Sequence, residues 1–391
     1  MQKIKVKRLV LNLILLFITI ILFLFLFEII LRLFYPQPIN PGFIPTHERD
    51  TFAEYDKLLG WKLKPNFEGV FFSSEYNIYI KNNAQGLRMS NNISLEKSKY
   101  RIAFLGDSYV WGHGVNENDR MSNILENELK NIEVLNFGVS GYTTDQYYLQ
   151  LKNIVLRFDP DMVIIGFYAN DLEDAGNNIM QGYPKPLFKI KNNSLELTNI
   201  PVPKRESISK REYSSLKKVD LYLSSKSHVY VFFKPVLFKI YDLTKNDKYS
   251  RYKITTYEVP VVKKVYSEEY QGYKELNDKL YCEISSLLKE KNVPLVVVNI
   301  PVKVHIFPED FNEILRKLNL NQDDYDLNKI SNMLSELSKN CNFYFIDLYP
   351  YFLDYKEKKD LYYKYDVHLT QEGNKYSAEI TARELKDKQI L

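Results

Sequence analysis

The chain has 391 residues, 45% of them hydrophobic and 26% charged, which is enough apolar material for a large core and too much for a disordered tail. Lys and Arg total 53 against 49 Asp and Glu, and four of those cations (Lys3, Lys5, Lys7 and Arg8) lie at the extreme N-terminus, so the remainder is charge-balanced. A nucleic-acid binder would carry a basic excess on its folded part, and that class is set aside. Cys282 and Cys341 are the only cysteines; without a CxxC or a Cys/His cluster no zinc site or redox dithiol is expected, and whether the two pair stays open.

Leu9 to Phe27 is an apolar run broken only by Asn12 and Thr19; Glu28 interrupts it, and Ile29 to Phe34 resumes it around Arg32. As a helix the run spans roughly 30 Å, the thickness of a hydrocarbon core. The preceding cations put residue 1 in the cytoplasm and everything after about Tyr35 outside. Leu31–Tyr35 offers no small-residue cleavage site, so an uncleaved anchor is expected over 1–35 rather than a signal peptide. Pro36, Pro38, Pro41, Gly42 and Pro45 predict a stiff linker. The short aromatic patterns from Asp50 to Lys99 predict a small β-rich preface, so that linker and preface together occupy 36–99.

A strand and helix alternation begins at Tyr100. Strands are expected at 101–105, 133–136, 162–167, 294–299 and 343–347. Helices are expected at 120–130, 144–158, 267–289, 327–339 and 370–386. Near-continuous apolar strands alternating with helices predict a three-layer α/β/α domain over 100–391, built on a five-stranded parallel sheet. About a hundred residues at 172–266 do not alternate and read as an insertion, either a membrane-facing or substrate-covering subdomain or a decoration with its own small core.

In an open parallel sheet, ligands bind at the carboxyl ends of the strands. Four polar blocks fall there in chain order: Gly106-Asp107-Ser108, Asn136-Phe-Gly-Val-Ser-Gly141, Ala169-Asn170-Asp171 and Asp366-Val367-His368. A serine hydroxyl needs a base, and His368 is a natural one near neutral pH. Asp366 would accept the other imidazole N–H and fix its tautomer. The backbone N–H groups of Ser108 and Gly141 and the Asn170 amide could stabilise an oxyanion, each donor being worth roughly 3–4 kcal/mol.

These blocks resemble those of the SGNH (GDSL-like) hydrolase family, over about 100–386 apart from the insertion. The resemblance implies a flavodoxin-like hydrolase fold, a Ser108–His368–Asp366 triad, and an oxyanion hole of Ser108, Gly141 and Asn170. Most of the family spaces Asp and His as D-x-x-H; the shorter Asp366-x-His368 resembles alginate-type O-acetyltransferases, and residues i and i+2 of an extended segment still share a face. The preface motifs Gly60-Trp61 and Asn83-Ala-Gln-Gly-Leu-Arg88 resemble membrane-anchored members associated with envelope polysaccharides.

Other polar residues have plainer readings. Asp107 is expected to bond the local backbone, Asp347 to be structural, and the lysines of 356–359 to be a solvated face. His47 and His228 read as surface residues, and His113, five positions beyond Ser108, is not expected to be the base. Lys303 and His305 follow the fourth strand and are candidate substrate contacts.

The expected activity is that of a serine-dependent carbohydrate O-acyl (acetyl) esterase or O-acyltransferase. It would work on an extracytoplasmic acylated glycan through an acyl-enzyme intermediate, without cofactor or metal. A transferase would also need an acyl donor delivered across the membrane by a multi-pass partner. The alternatives are a lipase or thioesterase of the GDSL type, and a non-catalytic scaffold of a polysaccharide assembly complex.

Overall fold

The computed structural model describes residues 2–37, 51–73, 75–205, 219, 222–224, 226–234, 236, 258–364 and 366–391. The prolines at 38, 41 and 45, Gly42, His47 and most of 206–257 lie outside the described residues. The chain divides into two compact units, Met1–Thr51 with Ser209–Asp247, and Phe52–Ile208 with Lys248–Leu391.

The smaller unit is built on helix α1 (Gln2–Phe34), of which Val10–Phe34 is long and apolar enough to cross a membrane. Glu28, the acid that interrupts the apolar run, accepts hydrogen bonds from Ser227 Oγ (3.0 Å), His228 N (3.0 Å) and Val229 N (2.9 Å), and so caps a helical segment over 228–234. The Arg32 guanidinium closes on the same carboxylate at 2.8 Å. Phe27 meets Phe232 and Phe233 at ring-centroid distances of 5.7 and 5.9 Å. His228, expected on the surface, is half-buried because its Nδ1 accepts the Gln37 N–H at 2.7 Å.

The larger unit opens with two antiparallel hairpins, β1 (Ala53–Asp56) with β2 (Gly60–Leu63), and β3 (Glu68–Phe72) with β4 (Asn77–Lys81). Then come β5 (Tyr100–Gly106), α2 (Ser108–Trp111), α3 (Met121–Leu129), β6 (Ile132–Asn136), α4 (Thr144–Asn153), β7 (Met162–Phe167) and α5 (Asn170–Asp174). Two more hairpins follow, β8 (Ile179–Met180) with β9 (Tyr183–Pro184), and β10 (Leu187–Lys191) with β11 (Ser194–Thr198). Beyond residue 257 the order is α6 (Glu268–Lys289), β12 (Leu295–Asn299), α7 (Pro308–Lys317), α8 (Lys329–Cys341), β13 (Tyr344–Asp347), α9 (Tyr349–Asp354) and α10 (Gln371–Asp387).

The five parallel strands stand in the order β6-β5-β7-β12-β13, with Phe104 opposite Ile164 and Val297 opposite both Ile165 and Phe345. Every residue of β7 and β12 is buried, which explains their unbroken apolar sequence. Helix α3 packs with α10, while α4 packs with α6 and α6 with α8, so two helix layers cover the sheet. The helices start where short polar side chains can hold free N–H groups. Ser267 accepts from Tyr270 N ahead of α6, and Thr370 accepts from Gly373 N ahead of α10. Cys282 of α6 and Cys341 of α8 form a disulfide.

The first part of the insertion belongs to this unit. Lys185 and Asp145 form a wholly buried ion pair, and Tyr55 donates to Val202 O at 2.6 Å. The helix expected over 144–158 stops at Asn153 and tightens into a 3₁₀ turn at Val155–Phe158.

Candidate active site

Strand order reverses around β5, so the carboxyl ends of β5, β6 and β7 converge at a topological switch point. Ser108 opens α2 immediately after β5. Asp107 caps that turn, its Oδ1 accepting the Tyr109 N–H at 2.9 Å, as the sequence suggested. Burial pushes the Asp107 carboxyl up to about 7, against the pull of the Tyr109 and Asp107 backbone N–H groups.

His368 Nε2 lies 2.8 Å from Ser108 Oγ, and its Nδ1 lies 2.5 Å from Asp366 Oδ1. With Nδ1–H facing the carboxylate, Nε2 presents a lone pair to the hydroxyl. The two-residue spacing works because the loop folds back on itself, so that the His368 backbone N–H also bonds Asp366 Oδ1 at 3.0 Å. Burial opposes ionisation of Asp366, but the charge of His368 and the hydrogen-bonding contacts of His113 and His368 prevail and hold its carboxyl far below the usual range.

Side chains remote in sequence pin the loop that carries Asp366 and His368. The Glu75 carboxylate accepts the N–H groups of Lys364 (2.6 Å) and Asp366 (2.8 Å). Tyr363 donates to Gly114 O at 2.7 Å, and Tyr109 to Val367 O at 2.8 Å. Lys303 donates to the carbonyls of Tyr363 (2.6 Å), Lys364 (2.9 Å) and Asp366 (3.2 Å).

Lys303 is therefore turned inward and holds the loop, a correction to its reading as a substrate contact; a buried ammonium must find acceptors within the protein, and the loop carbonyls supply them. His305 is corrected likewise. It is buried, lies 2.6 Å from Glu258 O, and burial lowers its pKa to about 4, so it stands as a neutral packing residue. Asp347 accepts from Asn299 Nδ2 (2.8 Å) and Tyr349 N (3.1 Å), a structural arrangement.

The block after β6 forms a tight turn. Gly138 must lack a side chain, since a Cβ there would lie 2.3 Å from Trp111 N, and Gly141 adopts φ +78°. Asn136 ties this turn to α2 by donating to Val110 O at 2.6 Å. Asn170 opens α5 after β7; its Nδ2 donates to Asp174 Oδ2 at 3.2 Å, and its buried Oδ1 has no hydrogen-bond partner among the described residues.

The preface supports the same loops. Trp61 Nε1 donates to Ser140 O at 3.2 Å. The buried Arg88 guanidinium donates to the carbonyls of Trp111 (2.9 Å), Gly112 (2.6 Å) and Val115 (2.7 Å), past the end of α2. Tyr76 bonds Asp366 Oδ2 at 2.9 Å and His113 Nε2 at 2.7 Å, and the His113 ring stacks on His368 with centroids 3.9 Å apart. Sequence reasoning missed Glu75, Tyr76 and Arg88 as site residues; only the recurrence of polar side chains among the preface aromatics hinted at them.

Ligand atoms of His113, Asp366 and His368 lie within 4.8 Å of one another, a spacing that admits an ion. His113 Nε2 bonds Tyr76, His368 Nδ1 bonds Asp366 and His368 Nε2 bonds Ser108, the pattern of a hydrogen-bonded chain.

Comparison with known proteins agrees with this architecture. Residues 104–199 match the GDSL-like Lipase/Acylhydrolase family, so the first three blocks belong to a GDSL/SGNH hydrolase. Residues 264–391, with Asp366 and His368, match the SGNH hydrolase-like domain of the acetyltransferase AlgX. The chain is thus an SGNH/GDSL-type enzyme, an ester hydrolase or acyltransferase.

Among solved structures it is similar to a lipolytic protein of the G-D-S-L family from Desulfitobacterium hafniense DCB-2, at 13% identity over 73% of this chain and 99% of that one, with a TM-score of 0.38. A lipase/acylhydrolase from Enterococcus faecalis (15%, 74% and 96%, TM-score 0.37) and an acetyl xylan esterase (15%, 73% and 99%, TM-score 0.37) are similarly distant. No curated protein sequence matches the chain.

Proposed function

We propose that the protein is a membrane-anchored serine O-acyl esterase or O-acyltransferase that acts on an acylated glycan outside the cytoplasm. The observation that carries this reading is the continuous chain from Ser108 Oγ through His368 to Asp366, at 2.8 and 2.5 Å. As the Ser108 oxygen attacks the ester carbonyl, its proton passes to His368 Nε2 and a C–O bond forms. Asp366 holds the imidazolium. The negative charge on the former carbonyl oxygen is met by the backbone N–H groups of Ser108 and Gly141 and by the Asn170 amide. Collapse expels the alcohol, which takes the proton from His368 and leaves an acyl group on Ser108. Water or a sugar hydroxyl then reverses the sequence. None of these steps requires a cofactor.

The glycan is favoured by the AlgX-type match over the Asp366–His368 half of the domain. Helix α1 would tether the chain with its basic N-terminus in the cytoplasm and the hydrolase domain outside, where the Cys282–Cys341 disulfide persists. Run as a transferase, the enzyme would draw its acyl group from a multi-pass donor protein.

The test is turnover of a chromogenic acetyl ester by the wild type and by Ser108→Ala, followed by mass analysis of an added glycan acceptor. Loss of turnover in the variant is expected, and equal turnover would remove Ser108 from its role. Faster turnover of long-chain than of acetyl esters would favour a lipase.

A further inference from the structure

We propose that Tyr76 and His113 are positioning residues for the Asp366–His368 pair, an inference that rests on the triad reading above. Asp366 Oδ1 is engaged twice by His368, through Nδ1 and the backbone N–H, so only Oδ2 is left to fix the carboxylate's rotation. Tyr76 Oη donates to Oδ2 at 2.9 Å. Its single proton is thereby committed, so the 2.7 Å contact with His113 Nε2 has the imidazole donating and the phenol oxygen accepting. The result is two donor chains that converge on Asp366: His113 N–H to Tyr76 and Tyr76 O–H to Asp366 Oδ2 on one side, Ser108 O–H to His368 and His368 N–H to Asp366 Oδ1 on the other.

Each donor polarises the next, so the Tyr76 hydroxyl binds Asp366 more strongly for being itself held by His113. His113 also braces the base mechanically. Its ring lies 3.9 Å from that of His368 with 20° between planes, while Tyr109 flanks His368 with a centroid distance of 4.9 Å. His113 is itself fixed by Phe71 (5.4 Å) and Trp111 (6.0 Å) and is 7% exposed. The imidazole of His368 is thus confined in rotation by two rings and in tilt by one carboxylate. Tyr76 reaches this place because the neighbouring Glu75 ties the β3–β4 turn to the loop N–H groups of Lys364 and Asp366.

The experiment is a double-mutant cycle on the full chain in detergent, with Tyr76→Phe, Asp366→Asn and the double variant assayed on the acetyl ester. Tyr76→Phe keeps the ring and loses only the hydroxyl, and is expected to lower kcat about tenfold with KM within about twofold. In the Asp366→Asn background the same change is expected to do almost nothing, because Tyr76 acts through the carboxylate. His113→Gln should lower kcat without a matching change in KM, and the downfield proton resonance of the Asp366–His368 bond should shift in Tyr76→Phe and in His113→Gln.

Wild-type kcat in Tyr76→Phe, or an undiminished effect in the double variant, would overturn the inference. These outcomes are distinct from failure of the triad reading, which would show as turnover surviving Ser108→Ala. Should His113→Gln fail to fold, the Tyr76 cycle decides alone.

Discussion

Replacing Lys303 by Met tests how the Asp366 loop is held. The ammonium is buried at 5% exposure and donates to three carbonyls at 2.6, 2.9 and 3.2 Å. Charge-assisted bonds contribute roughly 1.5–3 kcal/mol each, but they do not add. Burial of the ammonium offsets much of their sum and holds its pKa below the usual lysine value, despite the nearby acids. Leaving the three carbonyls without their donor costs about 1–3 kcal/mol each, and after the relieved burial of the ammonium a net loss of about 3–5 kcal/mol is expected. At about 2 °C per kcal/mol for a domain of this size, the melting temperature should fall by roughly 6–10 °C. The freed loop carries Asp366 and His368, and a displacement of about 1 Å there costs on the order of a hundredfold in kcat. Thermal melts and acetyl-ester kinetics measured side by side check both effects. A variant with wild-type melting and wild-type kcat would refute the clamp, and a lower melting point with unchanged kcat would refute its link to the base.

Two further outcomes follow from buried groups. Reduction of Cys282–Cys341, which closes a loop with a sequence separation of 59, should cost about 4 kcal/mol by the chain-entropy relation; denaturant unfolding with and without reductant checks this, and superimposable curves would contradict it. Asp107 titrates near 7 when folded, chiefly through burial, so between about pH 4 and 7 the folded chain holds a proton that the unfolded chain has released, and stability falls as pH rises through that window. Asp107→Asn keeps the oxygen that caps α2 and should therefore out-melt the wild type at about pH 8, the gap closing toward about pH 5; a gap that does not change with pH would contradict the assignment.

The parallel sheet was legible because its strands are buried on both faces and read as unbroken apolar runs, as at Met162–Phe167 and Leu295–Asn299. The four polar blocks were legible because a doubly wound sheet gathers strand ends at one edge. The support of those blocks was not. Tyr76 meets Asp366 across 290 positions and Arg88 meets Gly112 across 24, and no local periodicity encodes either contact. Lys303 looked available because its neighbours read as a loop, yet the chain folds a second loop over it. The hairpins within 179–198 escaped notice because β8 and β9 have only two residues each and β11 is largely uncovered.

The central claim is that Ser108 carries the acyl group between donor and acceptor. The most direct measurement is peptide mass mapping of the enzyme quenched during turnover of an activated acetyl ester, with Ser108→Ala treated in parallel. The account requires the mass of one acetyl group on the peptide containing Ser108 in the wild type, and its absence from the variant. Turnover with that peptide unmodified, or acetylation at another residue that persists in Ser108→Ala, would contradict it.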